Sequence, residues 1–174
     1  VSLQVHGFSV ASVVADATSA VLPLVRSNAN TLDVRGAEDA GDLVADAHKV
    51  RQILINLIGN ASKFTSHGSV TVSCSRLGSG PSSEIVIAVS DTGIGMTPEQ
   101  LARIRAFEPF VQADGGIARR FGGTGLGLTI SQRFASLLGG RLEIESEYGR
   151  GSTVTVHLPA VVPEHLLPDD LPLV

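Results

Sequence analysis

Long stretches with apolar residues at helical spacing alternate along this chain with short stretches in which apolar and polar positions take turns. Residues 5–8 read as a short strand, and Ser9 can cap a helix bearing Val10, Val13, Val14, Ala17, Val21, Leu24 and Val25 on one stripe. Pro23 should kink that helix or divide it, because it lacks a backbone donor and clashes with the preceding turn. Thr31–Arg35 reads as a strand, followed by an acidic, glycine-containing loop over residues 36–42. A second helix opens at Asp46 and runs to about residue 64, with Val50, Leu54, Leu57, Ile58, Ala61 and Phe64 on one arc. Gln52, Asn56, Gly59, Asn60 and Lys63 occupy the opposite arc. A helix facing open water would carry charges there, so amides and one lysine suit a polar cleft better.

Two alternating strands follow, Ser69–Leu77 and Glu84–Asp91, joined by a turn cluster of glycine, serine and proline. Thr97-Pro98-Glu99-Gln100 has the form of a helix start, with Thr97 as cap and Gln100 three residues on. Residues 112–123 are glycine-rich without a period and read as a loop. A third long helix starts between Thr124 and Gly127, carries Ile130, Phe134, Leu137 and Leu138, and stops at Gly139-Gly140. Residues 141–146 and 152–158 read as a hairpin, and four of the eight prolines lie from Pro159 onward, as in a tail or linker. The expected fold class is α+β: a two-layer α/β sandwich whose mixed, mostly antiparallel sheet carries its helices on one face. The expected domain is residues 1–159, with a proline-rich tail over 160–174.

At 174 residues and 43% hydrophobic, the chain can bury one sizeable core. Its net charge of -4 speaks against non-specific nucleic-acid binding. The single cysteine, Cys74, excludes an intrachain disulfide and falls within a strand pattern. No apolar run approaches the roughly 20 residues that a membrane-spanning helix needs, and no signal-peptide pattern occurs, so a cytoplasmic chain is expected, whether or not its parent is membrane-anchored.

Four segments in a fixed order carry the chemistry: Asn56-Leu-Ile-Gly-Asn60, Asp91-Thr-Gly-Ile-Gly95, Phe107-Glu-Pro-Phe110 and Gly122-Gly-Thr-Gly-Leu-Gly-Leu128. Asn56, Asn60 and Lys63 fall within about 60° of one helical face. An asparagine carbonyl is a neutral, hard oxygen that suits Mg²⁺, and a lysine one turn away can reach a phosphate. Asp91 ends an apolar strand, where a carboxylate can accept an exocyclic amine of adenine while Gly93 and Gly95 let the base approach the backbone. Gly123, Thr124, Gly125, Leu126, Gly127 and Leu128 join a flexible backbone to a helix N-terminus, which favours phosphate. Arg119 and Arg120 can add charge at the outer phosphates. Phe107 and Phe110 can clip a mobile loop to the core. Taken singly, each segment also fits an ordinary cap, turn or solvated loop; together they describe an ATP site. No Gly-x-x-x-x-Gly-Lys-[Ser/Thr] occurs, so it is not a P-loop.

These segments resemble the N, G1, F and G2 boxes of the catalytic and ATP-binding domain of sensor histidine kinases, and Gly149-Arg-Gly-Ser-Thr153 is similar to the closing G3 segment. The resemblance covers about residues 1–159 and places the chain in the superfamily of gyrase, heat-shock chaperone, histidine kinase and mismatch-repair ATPases. It implies Asn60 as Mg²⁺ ligand, Asn56 assisting at metal or phosphates, Lys63 at phosphate, Asp91 reading adenine, and Gly93 and Gly95 bordering the base. It implies a lid over 111–122 and phosphate contacts from Gly123, Gly125, Leu126 and Gly127. The γ-phosphoryl group would pass to a histidine on a separate helical dimerisation domain, and from there to a response regulator or receiver domain. Asn56 is informative within the superfamily, because hydrolysing branches place a glutamate base there and an amide cannot serve as one.

Two departures from the pattern stand out: Ile104-Arg105-Ala106-Phe107 is similar to a two-residue insertion before the F box, and Val154 replaces a frequent phenylalanine. His6, His48, His67, His157 and His165 all lie outside the phosphoacceptor context, so the chain reads as the kinase half of a larger protein, monomeric when isolated. Phe107-Glu-Pro-Phe-Val-Gln-Ala-Asp114 and the proline-rich tail also resemble hybrid kinases, in which a receiver follows. An ATP-binding module that no longer transfers phosphate remains the alternative, and an independent hydrolase is disfavoured by Asn56.

Overall fold

The structure, a computed structural model, describes residues 3–105 and 126–166. Seven strands and four α-helices are described: β1 (His6–Ser9), α1 (Val10–Ser27), β2 (Thr31–Arg35), β3 (Asp42–Ala45), α2 (Ala47–Lys63), β4 (Ser69–Leu77), β5 (Glu84–Asp91), α3 (Pro98–Arg105), α4 (Leu126–Leu137), β6 (Arg141–Glu147) and β7 (Gly151–Pro159). The main sheet has the order β2-β4-β5-β7-β6. Its β2–β4 pair is parallel and the other three pairs are antiparallel, which is the mixed, mostly antiparallel sheet expected.

Alternation decides which face is covered. Val70, Val72, Ile85, Ile87, Val89, Leu142, Val156 and Leu158 are buried, while the intervening positions of β4, β5, β6 and β7 are open or half-open. The buried side meets α1, α2 and α4 in one hydrophobic core. Helix α3 packs instead on the β6 side, where Leu101, Ile104 and Ile144 form a smaller cluster with Met96, Leu128 and Val154. Cys74 lies in β4, and burial pushes its thiol up to about 11, so it serves as a packing residue.

Several expectations change in the folded chain. Helix α1 runs unbroken through Pro23, so the proline does not divide it; the lost bond is one donor in a helix held by the burial of Val10, Val13, Val14, Ala17, Val21 and Val25. By length and composition, this helix would suffice to cross a membrane, a match the sequence reading did not register. Its apolar stripe is spent on the core, and Ser12, Asp16, Ser19 and Arg26 face solvent. The acidic loop is shorter than expected, because its last residue, Asp42, begins β3, which pairs antiparallel with β1 in a separate two-stranded sheet. Four residues with two buried side chains, Leu43 and Ala45, are too short a run to declare a strand by periodicity. In α4 the inward positions are Ser131 and Ala135, with Leu138 buried just after the helix, whereas Ile130 is 42% exposed. A serine on the buried stripe displaced the apparent phase of the pattern.

The packed chain also continues beyond Pro159. Val44 donates to the Ala160 carbonyl at 2.7 Å and accepts from the Val162 amide at 2.9 Å. Ala160 and Val162 are buried with the main core.

Candidate functional site

The site is built around α2, and both ends of that helix are fixed by side chains. At its start the Asp46 carboxylate caps the Lys49 amide at 3.2 Å and accepts from the Gln4 amide at 3.0 Å. Lys49 pairs with Asp46 at 3.5 Å, with the side chains only 9% and 5% exposed, and its ammonium lies 5.6 Å from the centre of the Phe134 ring on α4. Burial works to raise the Asp46 carboxyl, but the two amides and the Lys49 ammonium outweigh it and hold the group below its ordinary value. At the other end Asn30 donates to the carbonyls of Ser62 at 3.2 Å and Thr65 at 2.9 Å, and Asn28 donates to Ser62 at 2.8 Å. The last carbonyls of the helix are thereby satisfied from the α1–β2 connection.

Between these ends Asn56, Asn60 and Lys63 share one face, all half-buried. The Asn56 carboxamide is held by Gln52 at 3.0 Å and by the buried Ser131 hydroxyl of α4 at 3.4 Å. The side chains of Asn60 and Lys63 take no hydrogen bond or ion pair among the described residues. A half-buried amide and ammonium left open beside each other can serve a hard cation and a phosphate oxygen.

Asp91 stands at the end of β5. Its Oδ1 accepts from the Gly93 amide at 2.9 Å and the Ser152 amide at 3.3 Å. The Thr65 hydroxyl also faces the carboxyl, short of full hydrogen-bond geometry. Burial raises the Asp91 carboxyl, and these donors offset the rise only partly. A carboxylate in this setting, with one oxygen taken by two amides, presents its other oxygen as an acceptor for an amine.

Gly93 and Gly95 have packing duties of their own. A side chain at Gly93 would strike the Phe64 carbonyl at the end of α2, and one at Gly95, whose φ is 66°, would strike the Glu147 carbonyl. The close approach lets the Ile94 amide donate to the Phe64 carbonyl at 3.2 Å, while the Ile94 carbonyl accepts from Gly149 at 2.7 Å. The turn therefore locks the Asp91 strand to the asparagine helix and to the β6–β7 hairpin.

Leu126 and Gly127 begin α4, and Leu128 is half-buried against both hydrophobic clusters. Phe107, Phe110, Arg119, Arg120, Gly123, Thr124 and Gly125 lie outside the described residues, as does the lid expected over 111–122. Sequence reasoning missed Thr65, Asn30, Ser131 and Ser152. Thr65 carried a local signal, a polar residue directly after the Lys63-Phe64 end of the helix, and Ser152 lay within the segment 149–153 without being assigned a contact; Asn30 and Ser131 act across 32 and 75 residues of chain.

Comparison with known proteins gives the family of the fold. Residues 45–162 match the family described as histidine kinase-, DNA gyrase B- and HSP90-like ATPase. Sensor histidine kinase AruS of Pseudomonas aeruginosa is 43% identical over 152 residues, covering 84% of this chain and 15% of AruS. Histidine protein kinase DivJ of Caulobacter vibrioides is 41% identical over 152 residues, covering 84% of this chain and 24% of DivJ. The chain thus spans less than a quarter of the length of these relatives. Full-length ShkA, crystallised with AMPPNP, superposes with a TM-score of 0.73 at 28% identity, over 91% of this chain and 32% of ShkA. The chain belongs to the histidine kinase-, DNA gyrase B- and HSP90-like ATPase family, as the ATP-binding domain of a sensor histidine kinase.

Proposed function

We propose that this chain binds Mg²⁺-ATP and transfers the γ-phosphoryl group to a histidine on a separate dimerisation and phosphoacceptor domain, in the cytoplasm, for onward passage to a response regulator or receiver domain. The observation that carries this reading is the buried Asp91 carboxyl, raised by its burial, with one oxygen saturated by backbone amides. Its remaining oxygen takes the adenine amine, and the Gly93–Gly95 turn admits the base edge to the backbone. Lys63 takes a phosphate oxygen, and Asn56, held by Gln52 and Ser131, keeps its carboxamide oriented toward the same group. Asn60, half-buried and unbonded among the described residues, is the side chain that would hold Mg²⁺, whose contribution is neutralisation of phosphate charge. Arg119, Arg120 and the glycines from Gly123 to Gly127 would complete the phosphate end. Catalysis in this arrangement consists of positioning and charge compensation, with no side chain here acting as a base on water.

The alternative, nucleotide binding without transfer, drew its support from the extra residues before Phe107. Two of them complete α3: Ile104 is buried against Leu101 and Ile144, and Arg105 donates to the Ile144 carbonyl at 2.8 and 3.2 Å. They lengthen a helix on the sheet edge, which favours transfer as the working reading. The test is transfer of label from γ-labelled ATP with Mg²⁺ to the parent's helical histidine domain, supplied as a separate chain. Acid-labile label on that domain is expected, falling at least about a hundredfold with Asn60→Ala or Asp91→Asn. Bound ATP with no transfer would establish the alternative.

A further inference from the structure

The helix layer stops short of one edge of the sheet. Helix α1 packs on α2 and α2 on α4, so α1 is the outer helix at the end where β2 is the outer strand. Val34 of β2 stands beside Val72 of β4, and both side chains point toward the helices. Val72 is fully buried, whereas Val34 is 39% exposed. Next to Val34 lies a groove of about 450 Å³, walled on one side by Ala11, Val14, Ala15 and Thr18 of α1 and on the other by the turn 36–39. Both walls are fixed. The Thr18 hydroxyl is turned back onto the Ala15 carbonyl at 3.0 Å. The turn is clamped where it ends: Arg76 donates to the carbonyls of Ala40 at 3.2 Å and Asp42 at 2.9 Å, and the Gly41 carbonyl accepts from the Val10 amide at 2.8 Å. Glu38 and Asp39 are thereby held exposed at the rim, and neither forms an ion pair among the described residues.

We propose that this groove docks an amphipathic helix of a partner protein, with large apolar side chains on its buried face and lysine or arginine beside them. The occupant is a helix because the vacancy lies in the helix layer. It covers Val34 and runs along α1, as α1 itself runs along α2. Its apolar side chains are large because those of Ala11, Ala15 and Thr18 are small: short residues let two helix axes come close, and the bulk that fills the groove comes from the other side. Its flanks are basic because the rim is acidic. Glu38 and Asp39 on the turn and Asp16, next to Ala15 on α1, give three exposed carboxylates. The cations nearby are engaged elsewhere: Arg35 is tied to Asp33 at 2.7 Å on the opposite face of β2, and Arg76 is spent on the turn. A basic helix is drawn to such a rim and an acidic one is repelled. With both walls clamped, little ordering on this side opposes docking. The groove shares no residue with Asn56, Asn60, Lys63 or Asp91, so it is a surface separate from the nucleotide site.

The experiment titrates the whole chain, labelled for amide NMR, with a synthetic amphipathic helix that carries leucines on one face and lysines on its flanks. A second peptide has glutamates on the flanks, and a third has a proline at its centre. The lysine peptide should shift the amides of Ala11, Ala15, Val34 and Ala37 and bind about three- to tenfold more tightly than the glutamate peptide, the worth of two partly exposed ion pairs. The double variant Glu38→Lys/Asp39→Lys should reverse that order. Ala15→Trp fills the groove from an exposed position. It should weaken the lysine peptide at least about tenfold while leaving melting and ATP binding unchanged. A preference for lysine that survives the charge reversal would mean attraction to the net charge of -4 and overturn the site. Equal binding of the proline peptide would give the groove to an extended segment on the edge of β2 and overturn the helix. Shifts that miss the groove, or no binding by the lysine peptide, would overturn the proposal outright, with the ATP site left standing.

Discussion

At the scale of single residues, Asp91 is held in an environment that suits a ligand better than the empty fold. Burial raises its carboxyl despite two amide donors. An acid whose folded value is raised contributes stability that is complete below its ordinary value of 3.8 and is lost as pH rises through the folded value. At neutral pH the ionised Asp91 therefore opposes folding. Asp91→Asn keeps an oxygen for the Gly93 and Ser152 amides and removes the charge. We expect its nucleotide-free melting temperature at pH 7 to equal or exceed that of the wild type, and the two to converge toward pH 3, while ATP binding is lost. A clear drop in melting at pH 7 would mean that the carboxylate is there for the fold. The choice of an aspartate at this position was visible in the sequence, from its place at the end of an apolar strand before two glycines. Its burial was not, nor were the Ser152 amide and Thr65 hydroxyl that partly offset it, because these donors are distant along the chain.

Helix α2 is the element on which the site depends, and its stability rests on its ends. Asp46 serves as cap and as the partner of a buried ammonium. Asp46→Ala leaves Lys49 buried without its counter-ion and should cost about 3 kcal/mol, read from urea unfolding at pH 7. The folded value of Asp46 is depressed, so its contribution is complete above its ordinary value of 3.8 and is lost as pH falls through the folded value. The gap in urea midpoint between wild type and Asp46→Asn should accordingly narrow as pH is taken below about 4. Asp46 and Asp91 thus shift stability in opposite directions with acid, and the variants separate them. Helix starts of this kind were legible in advance: Ser9, Asp46 and the Thr97–Gln100 box all form the bonds their spacing implied. The stop at Gly139-Gly140 was legible too, with the Gly140 amide reaching the Ala135 carbonyl at 2.8 Å and Gly139 at a φ of 82°.

Across the whole molecule, the segment after Pro159 closes the structure rather than trailing from it. Residues 160–162 hydrogen-bond Val44 of the small sheet, Ala160 donates to the Ser83 carbonyl, and Pro163 and Leu166 lie against Gly139 at the end of α4. A chain ended at Pro159 would lose two buried side chains and the strand-like pairing of Val44. It should melt roughly 5–10 °C below one ended at Leu166, from a loss of about 2–3 kcal/mol. Equal melting of the two would make residue 159 the true domain edge. Prolines signal a break in regular structure, and they do so here, but irregular backbone can still be packed.

What the sequence determined by itself was whatever acts within a few residues. Periodicity placed α2, β4 and β5, caps placed the helix ends, and helical spacing put Asn56, Asn60 and Lys63 on one face of α2. Tertiary structure alone decided what those residues face. It set β2 beside β4 in parallel, joined β1 to β3, brought Asn30 to the end of α2, and carried Ser131 to Asn56 across 75 positions. The physical reason is that a cap or a turn is satisfied by its neighbours and leaves a local pattern. A buried polar group is satisfied by whichever distant residue the topology delivers, and no local pattern records that choice.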